Sequence, residues 1–256
     1  MKILVIGGTG LIGSKVVERL RAKGHEAIAA SPSSGVNTLT GEGLDAAMVG
    51  VDTVLDLANS PVFVGPEVLH FFETAGHNMA QAEKKAGVKH HVALSVVGAD
   101  RLTGSEYLRA KVAQERIIAA SGIPYTIVRS TQFFEFLGGI AQSAAASGSI
   151  TLPTAYIQPI ASDDVADAVT ARTLGAPVNG IVEIGGPAKF PMAELVARFL
   201  TIVKDPHKVV GDANAPYFGA RLDEGSLVAG RDAHLGTIDF PTWLKTSKYA
   251  QYASAA

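Results

Sequence analysis

Apolar residues fall in short runs and in helically spaced sets that alternate along the first half of this chain. Ile3 to Ile6 form an apolar run suited to a strand covered on both faces, and Ile12, Val16, Val17 and Leu20 then follow helical spacing up to Gly24. The same beat predicts strands over 26–31, 53–58, 91–96 and 125–129, with helices over 44–49, 66–86 and 105–120. Gly87 and Gly122 stand where two of those helices must stop. Such alternation implies a parallel sheet with helices on both faces.

Beyond Ser130 the pattern loosens. It predicts a helix over 133–146, a strand near 156–160, a helix over 163–174, a strand over 181–184 and a helix over 192–203 with Pro191 as its first residue. Ser162 is the candidate cap of the helix over 163–174, and Asp163, Asp164 and Asp167 in its first turns complement the helix dipole. From Asp205 onward Pro, Gly and charged residues are scattered without clear periodicity.

The first strand runs straight into Gly7-Gly8-Thr9-Gly10-Leu11-Ile12-Gly13 and then into a helix. Glycines three apart let the turn adopt positive φ, let backbone N–H groups approach a phosphate and let helix pack close to strand. The helix N-terminus adds unpaired donors and a partial positive charge. The turn therefore reads as a pyrophosphate cradle in which Gly7, Thr9, Gly10, Leu11, Ile12 and Gly13 contact the cofactor. A tight strand-to-helix turn without a ligand is the alternative.

The expected fold is α/β: a Rossmann-like doubly wound parallel sheet with a small C-terminal substrate-covering part. One domain spans residues 1–256, with a cofactor-binding core over about 1–150 and a mixed C-terminal part over about 151–256.

Composition narrows the function. The formal net charge of −2, from 22 basic and 24 acidic residues, gives no electrostatic case for nucleic acid or an anionic membrane as partner. No cysteine occurs, which removes disulfides, thiolate nucleophiles and cysteine-based metal sites. His70 and His77 are seven apart with no third ligand, so no metal is expected. The first strand leaves no room for a leader, and no apolar segment approaches the ~18 residues of a membrane span. A cytoplasmic protein acting on a small-molecule substrate is expected, with monomer and homodimer both open.

NAD-selective sites place a carboxylate at the end of the second strand, ~20 residues past the glycines. No carboxylate appears from Ala27 to Gly41, and Ser31, Ser33 and Ser34 can donate to a 2′-phosphate, so NADP is preferred to NAD. The same window lacks Arg and Lys, and the serines also suit an ordinary polar turn. Asn59 and Ser60, after the third strand, are candidates for the adenine-side ribose or phosphates, or form a simple Asn-Ser-Pro turn.

Tyr107 and Lys111 sit four apart on one helical face. A free tyrosine titrates at about 10, and a neighbouring ammonium favours its phenolate and brings it nearer neutrality. Lys111 can also bond the nicotinamide ribose. Ser95, at the end of the fourth strand, can polarise a substrate carbonyl. An exposed helix can equally hold such a Tyr and Lys with no catalytic role. Gln132, Phe133 and Phe134, after the fifth strand, are candidates to cover the nicotinamide and an aromatic substrate, although adjacent phenylalanines also suit a core.

The glycine spacing and the Ser95, Tyr107, Lys111 set resemble the atypical short-chain dehydrogenase/reductases. Ala93-Leu-Ser-Val-Val-Gly98, Tyr107-Leu-Arg-Ala-Lys111 and Gly122-Ile-Pro-Tyr-Thr-Ile-Val-Arg-Ser-Thr-Gln-Phe133 are similar to the NmrA-like branch, over roughly residues 1 to 200. That resemblance implies an NADPH-dependent oxidoreductase reducing a carbonyl or quinone by hydride transfer, or a redox sensor that binds NADP(H) without turnover. Lys111 matches the lysine used by ether and isoflavone reductases of the branch. Tyrosine at the position of Tyr107 is not general in it.

Overall fold

Ile3 and Val5 turn to one side of the first strand, Leu4 and Ile6 to the other, and all four are buried. A strand with both faces covered is the unit of a parallel sheet, and the rest of the architecture follows from it. The computed structural model describes residues 1–146 and 148–255. Ala256, the end of the expected C-terminal part, lies outside the described residues.

In the first half β1 (Lys2–Ile6), α1 (Leu11–Ala22), β2 (Glu26–Ala30), α2 (Leu44–Ala47), β3 (Thr53–Asp56), α3 (Pro66–Ala86), β4 (His90–Val96), α4 (Glu106–Ala120) and β5 (Tyr125–Ser130) follow one another. The second half contains α5 (Leu137–Ser143), β6 (Ala145–Ala146), β7 (Ser149–Leu152), β8 (Tyr156–Ile157), α6 (Ser162–Leu174), β9 (Gly180–Gly185) and β10 (Phe190–Pro191). It ends with α7 (Met192–Ile202), β11 (Lys208–Gly211), β12 (His234–Leu235) and α8 (Phe240–Thr246).

The central sheet has seven strands in the order β12-β9-β5-β4-β3-β1-β2, every pair parallel. The chain builds outward from β1 in both directions, which leaves a crevice beyond the C-terminal ends of β1 and β3. Val16 and Leu20 of α1 and Val165 and Val169 of α6 cover the face carrying Ile3, Val5 and Val128. Ala75, Met79 and Ala82 of α3 cover the face carrying Leu4, Ile6 and Val54. This is the doubly wound α/β sheet the alternation implied.

The C-terminal residues build a second core in which Phe134, Leu137, Ile140, Phe199, Phe240 and Trp243 pack together. Trp243 stacks on Phe134 with centroids 5.4 Å apart, and its indole N–H donates to Glu135 Oε1 at 3.0 Å. Among the described residues no helix is long and apolar enough to cross a membrane.

Departures from the expected elements have local causes. The third strand stops at Asp56, whose carboxylate accepts the Ala58 N–H at 3.0 Å and turns the chain. The helix expected over 133–146 is held back because Phe133 stays extended and bridges Ile160, and the Phe134 N–H donates to the Ile160 carbonyl at 3.0 Å. A 3-10 turn over Phe134–Phe136 follows, and the α-helix occupies only Leu137–Ser143. Ser162 is inside α6 rather than its cap, and its hydroxyl donates to Glu135 Oε1 at 2.6 Å. Asp163 and Asp167 pair with Lys15 and Arg19, so these acids tie α6 to α1 as well as facing the helix dipole. Pro191 precedes α7 as its cap. The segment past Asp205 supplies β11, β12 and α8, short elements whose partners lie far away in sequence and leave no local period.

Candidate active site

Gly7 closes β1 at φ +73°, and a Cβ there would lie 2.8 Å from the Leu57 carbonyl oxygen. At Gly13 an added Cβ would fall 2.1 Å from the Gly7 carbonyl oxygen, so α1 approaches the turn this closely only because the residue is glycine. Gly10 caps α1 without a side-chain bond, and the first turn carries no acidic residue. The open helix end faces a groove of about 720 Å³ lined by Gly7, Thr9, Gly10, Leu11, Ile12 and Gly13. An uncapped N-terminus with its donors facing a groove fits a pyrophosphate.

At the β2 end the groove is bordered by Ser31, Val36, Asn37, Thr38 and Leu39, none of them charged. Ser31 is the one member of the serine cluster that lines it. The Ser33 hydroxyl pairs with that of Ser31 at 2.8 Å, and the Ser34 hydroxyl accepts the Ser31 N–H at 2.9 Å. Ser33 and Ser34 thus brace the turn and stand outside the groove lining, where their contact with the cofactor was expected. Asn37, half-buried, and Thr38, buried, are the other polar residues lining the groove at this end. Nothing in the spacing singled them out, because a 3-10 turn over Pro32–Ser34 redirects the chain.

Asn59 lines the groove, whereas Ser60 is buried and its hydroxyl accepts the Val62 N–H at 3.3 Å. Ser60 therefore shapes the turn and borders neither cavity. The Tyr107 hydroxyl donates to Asn59 Oδ1 at 3.0 Å.

Tyr107 and Lys111 both border the groove, but they do not work on each other as expected. Burial pushes the Tyr107 phenol up to about 12, only partly offset by its bond to Asn59. Lys111 turns inward, donating to the Leu94 carbonyl at 2.9 Å and to Gln114 Oε1, and it lies 4.6 Å from the centroid of the Phe72 ring. Its own pKa is lowered to about 8 by burial, against the pull of Asp56 and Glu115. Gln114 Nε2 donates in turn to Asp56 Oδ2 at 2.6 Å. An ammonium whose protons go to a backbone carbonyl and an amide oxygen is a poor activator for the phenol one turn away. Gln114 follows Lys111 by three residues on α4, so this partner was readable from helical spacing; Asp56 required the β3–β4 register.

Ser95 borders the groove, yet its hydroxyl donates to Glu115 Oε1 at 2.6 Å. Glu115 also takes a two-pronged bond from Arg129, Nε at 2.9 Å and Nη2 at 2.7 Å, and Arg129 reaches Asp100 at 3.0 Å. These bonds hold Arg129 firmly protonated. Ser95 thus completes a buried ion-pair network, and its proton is committed there rather than to a substrate carbonyl.

A second cavity of about 160 Å³ opens beside the groove. Asn59, Ser95, Val96, Tyr107, Phe133 and Phe136 line both. Phe63, Tyr217 and Phe218 complete its aromatic walls, and Thr131 and Gln132 line it as well. Phe63 lies 5.1 Å from Tyr107 and 6.1 Å from Phe136 between ring centroids. Gln132 and Phe133 line the chamber; Phe134 points into the C-terminal core against Phe240 and Trp243, because the 3-10 turn sends successive side chains in different directions. Phe63, Phe136, Tyr217 and Phe218 come from three separate segments and carried no shared sequence signal.

A family model described as NAD(P)H-binding matches residues 7–173. The NAD(P)H azoreductase of Xenophilus azovorans is 29% identical over 231 residues, covering 81% of this chain and 76% of that protein. Photosystem II assembly factor Ycf39 of Synechocystis sp. is 25% identical over 153 residues, covering 54% of this chain and 47% of that protein. The chain thus spans about half the length of that relative. Among solved structures, the NADPH-dependent quinone oxidoreductase QOR2 of Escherichia coli complexed with NADPH matches with a TM-score of 0.68 at 20% identity over 99% of each chain, a likeness of fold. The family match takes in the glycine turn, the crevice beyond β1 and β3 and α4 with its Tyr107 and Lys111. As the resemblance of those motifs implied, this chain belongs to the NAD(P)H-binding family.

Proposed function

We propose that this chain is an NADPH-dependent oxidoreductase that reduces a quinone-type small organic substrate by hydride transfer. The observation that carries this reading is the continuity of the groove with an aromatic chamber: the cradle for a pyrophosphate lies at one end and Tyr107, Phe133 and Phe136 border the other. The α1 N-terminus holds the pyrophosphate, and Ser31, Asn37 and Thr38 receive the adenine-side ribose. NADPH over NADH is supported by the lack of a carboxylate among the residues bordering that end. When bound, the reduced nicotinamide supplies a hydride.

The acceptor gains that hydride, two electrons and one hydrogen, and then one proton, to leave as the hydroquinone. Tyr107, with its phenol pushed up to about 12, stays protonated at neutral pH, and by turning its single proton away from the neutral Asn59 Oδ1 it offers a hydrogen bond to the substrate oxygen. Its proton is costly to give up, which suits a quinone better than a ketone: the reduced quinone oxygen is far less basic than an alkoxide and can be protonated from water. The aromatic walls exclude water and hold a flat ring. The azoreductase similar in sequence and the quinone oxidoreductase similar in fold also favour a conjugated acceptor.

The test is to follow loss of reduced nicotinamide absorbance with purified protein and a panel of quinones, ketones and aldehydes. Saturable turnover of quinones with ketones inert is expected. Tight NADPH binding with no acceptor reduced would replace this reading with that of a redox sensor reporting to a protein partner.

A further inference from the structure

Among the polar residues of the chamber, Asn59, Ser95 and Tyr107 are hydrogen-bonded within the protein, and two others are not. Gln132 Oε1 and the Thr131 hydroxyl are buried, belong to adjacent residues at the exit of β5, and have no hydrogen-bond partner among the described residues. Gln132 is 8% exposed and Thr131 is 1% exposed. Burying an unpaired amide oxygen is unfavourable, and native proteins retain such groups where something absent from the protein itself completes them. Ser130 beside them spends its hydroxyl on the Thr131 carbonyl, and the Gln132 carbonyl accepts the Ile160 N–H, so backbone geometry does not need either side chain.

An amide oxygen only accepts, whereas a hydroxyl can donate. A bare quinone presents acceptors alone and would leave Gln132 Oε1 unpaired. We infer that the chamber takes a flat one- or two-ring quinone that carries an N–H or O–H donor next to its reducible carbonyl, the donor meeting Gln132 and the carbonyl meeting Thr131. This rests on the quinone-reductase reading above and names the substrate class within it. The aromatic walls grip the ring faces without discriminating among quinones, so the two polar groups left without a partner set the choice. A site built to satisfy a ligand donor rejects the analogue that lacks it, because the protein group is then stranded.

Two probes of similar shape separate the cases: 2-amino-1,4-naphthoquinone, which has the donor, and 2-methyl-1,4-naphthoquinone, which lacks it. Calorimetric titration of the protein with each should show the amino compound binding about tenfold more tightly, equivalent to about 1.4 kcal/mol. Gln132→Leu should bring the two affinities within about twofold and leave the thermal midpoint unchanged or raised, since it removes a buried unpaired group. Thr131→Val should weaken both compounds alike. Equal binding of the two probes by the native chain would overturn the inference while leaving quinone reduction intact. Failure of every quinone to bind or turn over would overturn the reductase reading itself. A tenfold loss of NADPH affinity in Gln132→Leu, with quinone preference kept, would also overturn the inference by assigning the amide to the cofactor.

Discussion

The Tyr107 hydroxyl donates to Oδ1 of Asn59 across 3.0 Å, joining α4 to the loop after β3 where groove and chamber meet. Burial keeps the phenol protonated and the bond aims it, while Lys111 on the same helix face is engaged with Leu94 and Gln114 beneath. Tyr107→Phe should therefore lower kcat/KM for a quinone by no more than about tenfold, the worth of one hydrogen bond, with NADPH affinity unchanged. A loss in the range of ~10² to 10⁴ would instead make Tyr107 an obligatory acid.

Two glycines of the turn should separate folding from cofactor binding. Gly13→Ala forces a Cβ to 2.1 Å from the Gly7 carbonyl and should cost about 1–3 kcal/mol of stability by overpacking, with NADPH binding lost. Gly10→Ala meets only that same oxygen at 3.3 Å, so stability should stay within about 0.5 kcal/mol of the native chain. Its methyl group sits at the helix end that faces the groove, so NADPH affinity should fall. Denaturant melts and cofactor titration of both variants decide the matter, and a Gly10→Ala chain with native affinity would move the pyrophosphate elsewhere.

Adjacent histidines predict a stability maximum near pH 6.5. His90 is pushed down to about 4 by burial and by the charge of His91, so the unfolded chain binds a proton that the folded one does not. Its contribution is present above about 6.5 and fades as pH falls toward 4. His91 runs the other way: burial opposes its charge, but Glu83, 2.6 Å away, raises its pKa. That contribution is full below about 6.5 and is lost as pH rises through the raised value. Denaturant midpoints across this range should trace a dome, and Glu83→Gln should flatten its alkaline side only.

The network around Glu115 should prove structural. Arg129→Met leaves a buried carboxylate without its counter-charge and should cost about 3–5 kcal/mol. Ser95→Ala removes one donor to the same carboxylate and should cost about 1–3 kcal/mol, with quinone turnover per folded molecule unchanged. A Ser95→Ala chain of native stability and much reduced kcat would return Ser95 to the chemistry.

The single tryptophan gives a direct probe of the C-terminal part, because Trp243 is buried among Phe134, Phe199 and Phe240. Its emission should be blue-shifted in the native state and move red on unfolding. Phe134→Ala should lower stability by about 3–5 kcal/mol without abolishing NADPH binding.

The order of elements through β5 was legible because each strand is buried on both faces and each helix carries one apolar stripe, patterns that survive in the linear chain. The glycine turn was legible for the same kind of reason: Gly10 and Gly13 answer a demand made by Gly7 a few residues away, and Gly7 takes a positive φ. What lay beyond sequence was how polar side chains are spent. Ser95 and Lys111 have types and spacings suited to a site, but Glu115 meets Ser95, and Asp56 meets the Gln114 that holds Lys111, only through packing and register, and those bonds decide how each donor is used. Phe134 went to the core and Phe136 to the chamber because a backbone bridge from Phe133 to Ile160 set the turn between them. The chamber itself exists only in three dimensions, since Phe63, Tyr107, Phe136 and Phe218 converge from segments with no local reason to meet.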